Sequence, residues 1–368
     1  MATNFIESIK NTVLSFFNKK GDVTVVTGID IGGSSIKLVE MSIRGGKTVL
    51  NTYGSIALGP YAGKPVGMVV SVTPENIGKA LIELFKETNA TQTNVAVTIP
   101  TSASLLHDIA IPIGINDSEI KTVVMTEAHR VIPVPVSDVE IDWLSIPEEI
   151  LPKEILDQNK KHFLLVAVSH ESQKRTESYM KNAQITPSVY ELEVFSSMRS
   201  IYTHERSAIV LIDLGAAHIK VSIIHEGIMR RAVSLDNGFN ELDLALVKTG
   251  ISFEQARKTK YASSIIGHTN EEKIFRDTYI FLMKDVKMVI SEYEHYAHTS
   301  IARAIILGGG AEMKDIVSYT ESILGIPTEK SHPFERAIVP DVVKDIITTI
   351  EPEFTIASGV ALRLLINS

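Results

Sequence analysis

Gly28-Ile29-Asp30-Ile31-Gly32-Gly33-Ser34-Ser35-Ile36-Lys37 is the stretch on which the reading of this 368-residue chain turns. An apolar strand, Val23 to Ile29, runs into an acidic residue and a Gly-Gly-Ser-Ser turn, and a second strand, Ile36 to Met41, leaves it. Glycines let the backbone turn tightly and present its amides to an anion. Asp30 at the tip can hold Mg²⁺, and Lys37 can reach a phosphate as a point charge. The same residue types also build ordinary hairpin turns, so this stretch alone does not separate the two readings.

Recurrence separates them. Ile209-Val210-Leu211-Ile212-Asp213-Leu214-Gly215-Ala216-Ala217-His218-Ile219-Lys220 repeats the order of apolar strand, Asp-x-Gly, small residues and a Lys-bearing strand, about one domain length later. Two such halves would set both aspartates across one cleft. A third glycine site, Leu307-Gly308-Gly309-Gly310-Ala311-Glu312, ends another apolar strand. Backbone without side chains admits a flat base or ribose, and a helix start favours anions.

The composition narrows the class. A hydrophobic content of 44% over this length supports two domains. A net charge of -8 argues against nucleic acid as a partner. No apolar run reaches the length of a membrane span, and the N-terminus lacks a signal-peptide core. Zero cysteines exclude disulfides and thiolate zinc sites. A cytoplasmic location is the simplest expectation.

Along the chain, residues 1–20 carry Phe5, Ile9, Val13 and Phe16 at helical spacing beside Lys10, Lys19 and Lys20, which predicts an amphipathic segment. Residues 21–99 read as a first lobe of three strands, a helix near Pro74–Thr88 and a strand Asn94–Ile99, completed by a last helix at 354–366. Residues 100–187 read as an insert with helices near Asp117–Val131 and Glu171–Ala183. A helix at Glu191–Thr203 leads to a second lobe, 188–353, whose upper part spans about 238–300. Alternating strands and helices in two similar halves give an α/β fold.

These motifs resemble the actin-like ATPase superfamily, which includes actin, Hsp70, sugar kinases and FtsA. Ile99-Pro100-Thr101, Ile109-Ala110-Ile111-Pro112, Val131-Ile132-Pro133-Val134-Pro135, Asp142-Trp143 and Phe354-Thr355-Ile356-Ala357-Ser358-Gly359 are similar to the PilM family of type IV pilus machines. The likeness covers nearly the whole chain from Val23. It implies a two-lobed, ribonuclease H-like fold carrying an FtsA/PilM-type insert, and a site for ATP with Mg²⁺. By resemblance, Asp30 and Asp213 face the metal through its hydration shell, while Gly32, Gly33, Ser34, Ser35, Lys37, Gly215 and Ala216 hold phosphate. Gly308, Gly309 and Gly310 form the adenosine motif, Gly238 and Asn240 enter the upper subdomain, and Lys260 reaches the nucleoside. Glu193 takes the place of the residue that orients the attacking water. Arg257 stands where the family has Glu, which removes a ribose acceptor.

The resemblance further implies a PilN-like inner-membrane protein as partner, through its cytoplasmic N-terminal peptide, with the protein peripheral at the inner membrane. Contact with the pilus motor ATPase, and weak membrane-surface contact through residues 1–20, are further expectations, with at most slow ATPase activity. A sugar kinase would need an aspartate base in a sugar pocket, and no Glu-x-Gly-His motif is present. An FtsA-like division protein would carry a C-terminal membrane helix, whereas this sequence stops within a few residues of its last core helix.

Overall fold

The computed structural model describes residues 25–148, 151, 159–201 and 205–366; the amphipathic segment expected at 1–20 lies outside the described residues. The first sheet holds β1 (Val25–Ile31), β2 (Ser35–Arg44), β3 (Lys47–Ala57), β4 (Val95–Ile99) and β8 (Val189–Leu192) in the order β3-β2-β1-β4-β8. The second sheet contains β9 (Ile209–Leu214), β10 (Ile219–His225), β11 (Ile228–Ser234), β12 (Arg303–Leu307) and β13 (Thr328–Lys330) in the order β13-β12-β9-β10-β11. Each is an antiparallel three-strand meander whose first strand pairs in parallel with a fourth strand, which in turn pairs in parallel with a fifth. The repeat visible in the motifs is thus a repeat of whole sheets.

Strand periodicity sorts the apolar residues onto two faces. On β9, Val210, Ile212 and Leu214 face a cluster with α7 (Asn270–Ala297), while Ile209 and Leu211 face the other way, toward α4 (Glu193–Ile201). On β1, Ile29 packs with Leu81 and Phe85 of α1 (Pro74–Thr88), and Val26 packs with Ala357 and Ala361 of α10 (Thr355–Ile366).

The segment 100–187 divides between two bodies. β5 (Ser104–Pro112), β6 (Val139–Ile146), β7 (Lys160–Ser169) and α2 (Asp117–Val131) share a core of Ile109, Val124, Ala128, Phe163 and Leu165. Their three strands extend the second sheet through one bridge, Ala232 to Leu106, although they leave the chain from the first. α3 (His170–Asn182) instead adds Met180 to the core under α1, because its buried Thr176 and Met180 lie one turn apart on a single face. At the other end, Phe334 and, on α9 (Asp341–Ile350), Ile347 already pack with the first sheet, and Ile338 bridges Val49. Glu191 and Leu192, expected in the connecting helix, end β8, and α4 starts at Glu193.

Two glycines bring α10 into place. A Cβ at Gly28 would stand 2.1 Å from Ala357 O, and one at Gly359 would stand 1.7 Å from Ser196 O of α4. Gly359→Ala should force α4 and α10 apart and cost about 1–3 kcal/mol or more, as overpacking does. Gly114→Ala, whose Cβ would meet nothing within 4 Å, should stay within about 0.5 kcal/mol of wild type. Urea midpoints compare the two, and equal midpoints would refute the close packing argued here.

Candidate functional site

Because β1 and β9 are the central strands of two like sheets, their C-terminal ends meet across the molecule. Between them lies a cavity of about 760 Å³. Of the residues singled out by sequence, Asp30, Gly32, Gly33, Ser34, Ser35, Lys37, Glu193, Asp213, Gly215, Ala216, Asn240, Lys260, Gly308, Gly309 and Gly310 all line it. Gly238 does not. Its Cβ would meet Ala216 O at 2.2 Å, so it serves close packing beneath the second turn.

The two turns approach each other directly: a Cβ at Gly33 would be 2.8 Å from Cβ of Ala217. In the first turn the Gly32 amide donates to Ser35 O at 3.0 Å, which uses it inside the turn and takes it away from any phosphate. The carbonyls of Gly215 and Ala216 accept from Phe239 N and Asn240 N, tying the second turn to the start of α5 (Asn240–Val247). Asn240 Nδ2 also donates to Gly67 O across the cleft at 3.2 Å. Arg257 of α6 (Phe253–Ala262) closes the same edge: its guanidinium covers Gly67, whose φ of +84° leaves no room for a side chain, and stacks 5.1 Å from the Tyr261 ring.

Charges inside the cavity are unevenly partnered. Thr98 Oγ1 donates to Asp30 Oδ1 at 3.0 Å. Lys220 Nζ donates to Glu193 Oε2 at 2.8 Å and to Asp213 Oδ2 at 3.1 Å. Glu193 Oε1 accepts from Thr101 N at 2.5 Å. Burial, helped by Asp30 and Asp213, raises the Glu193 carboxyl above its ordinary range in spite of Lys220. Burial works against the Lys220 ammonium too, but Glu193, Asp213 and Asp30 together hold it protonated well above the usual lysine range.

Lys260, expected to reach a nucleoside, directs its ammonium to Asp243 at 2.5 Å and over the Phe239 ring. Burial brings it down to about 8. Lys37 makes no hydrogen bond or ion pair among the described residues and faces Glu312 and Glu353. Sequence reasoning did not single out that acidic pair. Glu312 sits inside the third glycine motif, but Glu353 is brought beside it only by the return of the chain to the first sheet.

A nucleoside fits the glycine loop. Gly309 lines the cavity, and a Cβ there would meet nothing within 4 Å, so backbone borders open space. A divalent ion finds no direct ligand set. Among the described residues no group of three or more His, Asp or Glu side chains is arranged to hold a metal, and the Asp213 carboxylate, expected to face Mg²⁺, is engaged by Lys220.

Two duplicated sheets with glycine turns facing one cleft define an actin-like ATPase fold. The chain belongs to the family described as type IV pilus assembly protein PilM, whose model matches residues 28–365. It is similar to a solved PilM-PilN type IV pilus biogenesis complex, with 21% identity, a TM-score of 0.75, and coverage of 92% of this chain and 98% of that one. Ethanolamine utilization protein EutJ from Carboxydothermus hydrogenoformans matches at 14% identity and TM-score 0.55, over 98% of both chains. MreB5 of Spiroplasma citri bound to ADP matches at 13% and 0.50, over 93% of this chain and 96% of that chain. Among the described residues no helix is long and apolar enough to cross a membrane.

Burial and the neighbouring Glu353 push Glu312 up to about 7. Between the ordinary carboxylate range and that value the folded chain keeps a proton that the unfolded chain has released, so stability falls as pH rises through the window. Glu312→Gln should therefore be more stable than wild type at about pH 8, by on the order of 1 kcal/mol, and the gap should close below about pH 5. Urea titrations at the two pH values decide it; an unchanged gap would show that the carboxyl is not desolvated.

Proposed function

We propose that this chain is an ATP-binding scaffold of a type IV pilus assembly platform. In this reading it binds the cytoplasmic N-terminal segment of a PilN-like inner-membrane protein, and thereby sits at the cytoplasmic face of that membrane. Family membership supports the pilus assignment. The nucleotide assignment rests on one observation, a cavity bordered by glycine turns of both lobes, with Lys37 facing into it. The similar structures point the same way: one is a complex with PilN, and one holds ADP.

In this reading Gly33, Ser34 and Lys37 receive phosphate from the first lobe, Gly215 and Ala216 receive it from the second, and Gly308 to Gly310 border the adenosine. ATP itself supplies a polyanion that both lobes grip, which makes cleft closure responsive to ligand. Hydrolysis would be slow. Orienting a water requires a free acceptor, and both oxygens of Glu193 are engaged by Thr101 N and Lys220 Nζ.

Calorimetry with ATP tests the site. Lys37→Ala should weaken binding by about tenfold, roughly 1.4 kcal/mol, and Gly309→Val should abolish it by filling the cavity without disturbing the fold. Unchanged affinity in both variants would remove this cavity from the account. Fluorescence anisotropy with a labelled N-terminal peptide of the PilN-like protein tests the partner, and no binding to the full chain would refute that part.

A further inference from the structure

The two lobes repeat a pairing that they put to different use. Register sets Lys37 opposite Asp30 on the β1–β2 hairpin, and Lys220 opposite Asp213 on the β9–β10 hairpin. Lys37 remains without a hydrogen bond or ion pair among the described residues. Lys220 is clamped between Glu193 and Asp213, with Asp30 as the third carboxylate in its field. Those three acids come from three separate elements and converge only because the two sheets face each other. An ammonium already stands among them.

We propose that Lys220 is the resident cation of the cleft, holding the position that a divalent ion would otherwise take, so that nucleotide binds here without requiring Mg²⁺. Geometry supports this in three ways. Mg²⁺ keeps much of its water and is held through one or two carboxylates and the substrate phosphates, and the two carboxylates nearest this position, Glu193 and Asp213, are each already hydrogen-bonded to Nζ, at 2.8 and 3.1 Å. The other Glu193 oxygen accepts from the Thr101 amide, so the side chain cannot swing freely toward an incoming ion. A tethered ammonium also loses no translational freedom by staying at its carboxylates, whereas a dissolved ion would. An ion entering there would have to displace a cation that two acids hold in a buried setting.

One positive charge among three acids still has to serve an anionic ligand, and Lys37 supplies the second. Lys220 screens the acids from the phosphates while Lys37 draws the phosphates in. This division of labour explains why one lysine of the repeat is paired and the other is not.

The inference rests on the nucleotide reading above, and the experiment separates the two. Calorimetry with ATP and with ADP is run on wild type and Lys220→Met, in Mg²⁺ and in EDTA. Wild-type affinity should differ by less than about threefold between the buffers, while Lys220→Met should lose about tenfold or more in EDTA and regain it with Mg²⁺. In parallel, Mn²⁺ is titrated into nucleotide-free protein and followed by electron paramagnetic resonance. Wild type should leave the Mn²⁺ spectrum free, and Lys220→Met should capture the ion. Should Lys220→Met fail to fold, Lys220→Met combined with Glu193→Gln removes one of the uncompensated carboxylates and repeats both measurements.

Wild-type binding that collapses in EDTA, or Mn²⁺ captured by wild type, overturns the resident-cation inference and leaves nucleotide binding standing. Mg²⁺-independent binding by Lys220→Met also overturns it. No binding of either nucleotide in either buffer defeats the nucleotide reading itself, and the inference with it.

Discussion

A buried glutamate, Glu191, constrains the architecture. It accepts two hydrogen bonds from the Arg199 guanidinium at 2.5 and 2.7 Å and one from Ser196 Oγ at 2.7 Å, with Arg363 at 3.7 Å. Burial would raise this carboxyl, and the two arginines hold it below the ordinary range instead. Such a pair adds little net stability relative to apolar packing, but removing one partner strands the others. Its effect is on geometry. Glu191 ends β8, Arg199 lies on α4 and Arg363 on α10, so three elements must meet at one point. Arg199 also donates to Gly359 O at 3.1 Å, at the spot where a missing Cβ lets the two helices touch. Two residues beyond Glu191, Glu193 is thereby aimed into the cleft.

That anchor also closes the chain on itself. α10 is the last helix described, and it packs against β1, the first strand described. The first lobe therefore cannot complete its core until the C-terminal segment arrives, and α4 and α10 together join the lobes. A ligand gripped by both turns acts on a body whose halves share these two helices, so cleft geometry and the helix pair cannot vary independently.

Legibility in the sequence followed the range of the interactions involved. The glycine turns and their flanking strands are local, and both hairpins, α1 and α2 appear where apolar spacing and Gly or Pro signals put them. Sheet membership is a long-range property. Nothing local shows that β5, β6 and β7 extend the second sheet while α3 joins the first, since Ala232 and Leu106 are far apart in sequence. α9 escaped notice for another reason: Val342, Val343, Ile346, Ile347 and Ile350 are β-branched, which weakens a helical signal. In the site, the family resemblance pointed to Asp213 as facing a hydrated metal and to Lys260 as a nucleoside contact. Both carry their charge to a nearby opposite charge, Lys220 and Asp243, and such pairing depends on side-chain geometry that spacing does not encode.

The hydrogen bond from Thr101 N to Glu193 Oε1 gives the cleft and the insert a common atom group. Thr101 follows β4 directly and precedes β5, so it stands where the first sheet hands the chain to the insert. Glu193 in turn holds Lys220, which holds Asp213 of the second lobe. One chain of four charged or polar groups thus runs from the root of the insert, through the connecting helix, to the second glycine turn. Each link is a bond between buried or half-buried groups, where losing a partner is costly. A phosphate that shifts Lys220 must therefore either break the Glu193 contact or carry Thr101 with it. A partner peptide bound beside the insert would act on the same residues from the opposite end. With so little freedom at Glu193, a ligand in the cleft and a partner beside the insert, if both bind there as proposed, would be coupled by the cost of leaving that carboxylate unpaired, and such coupling would need no turnover of ATP.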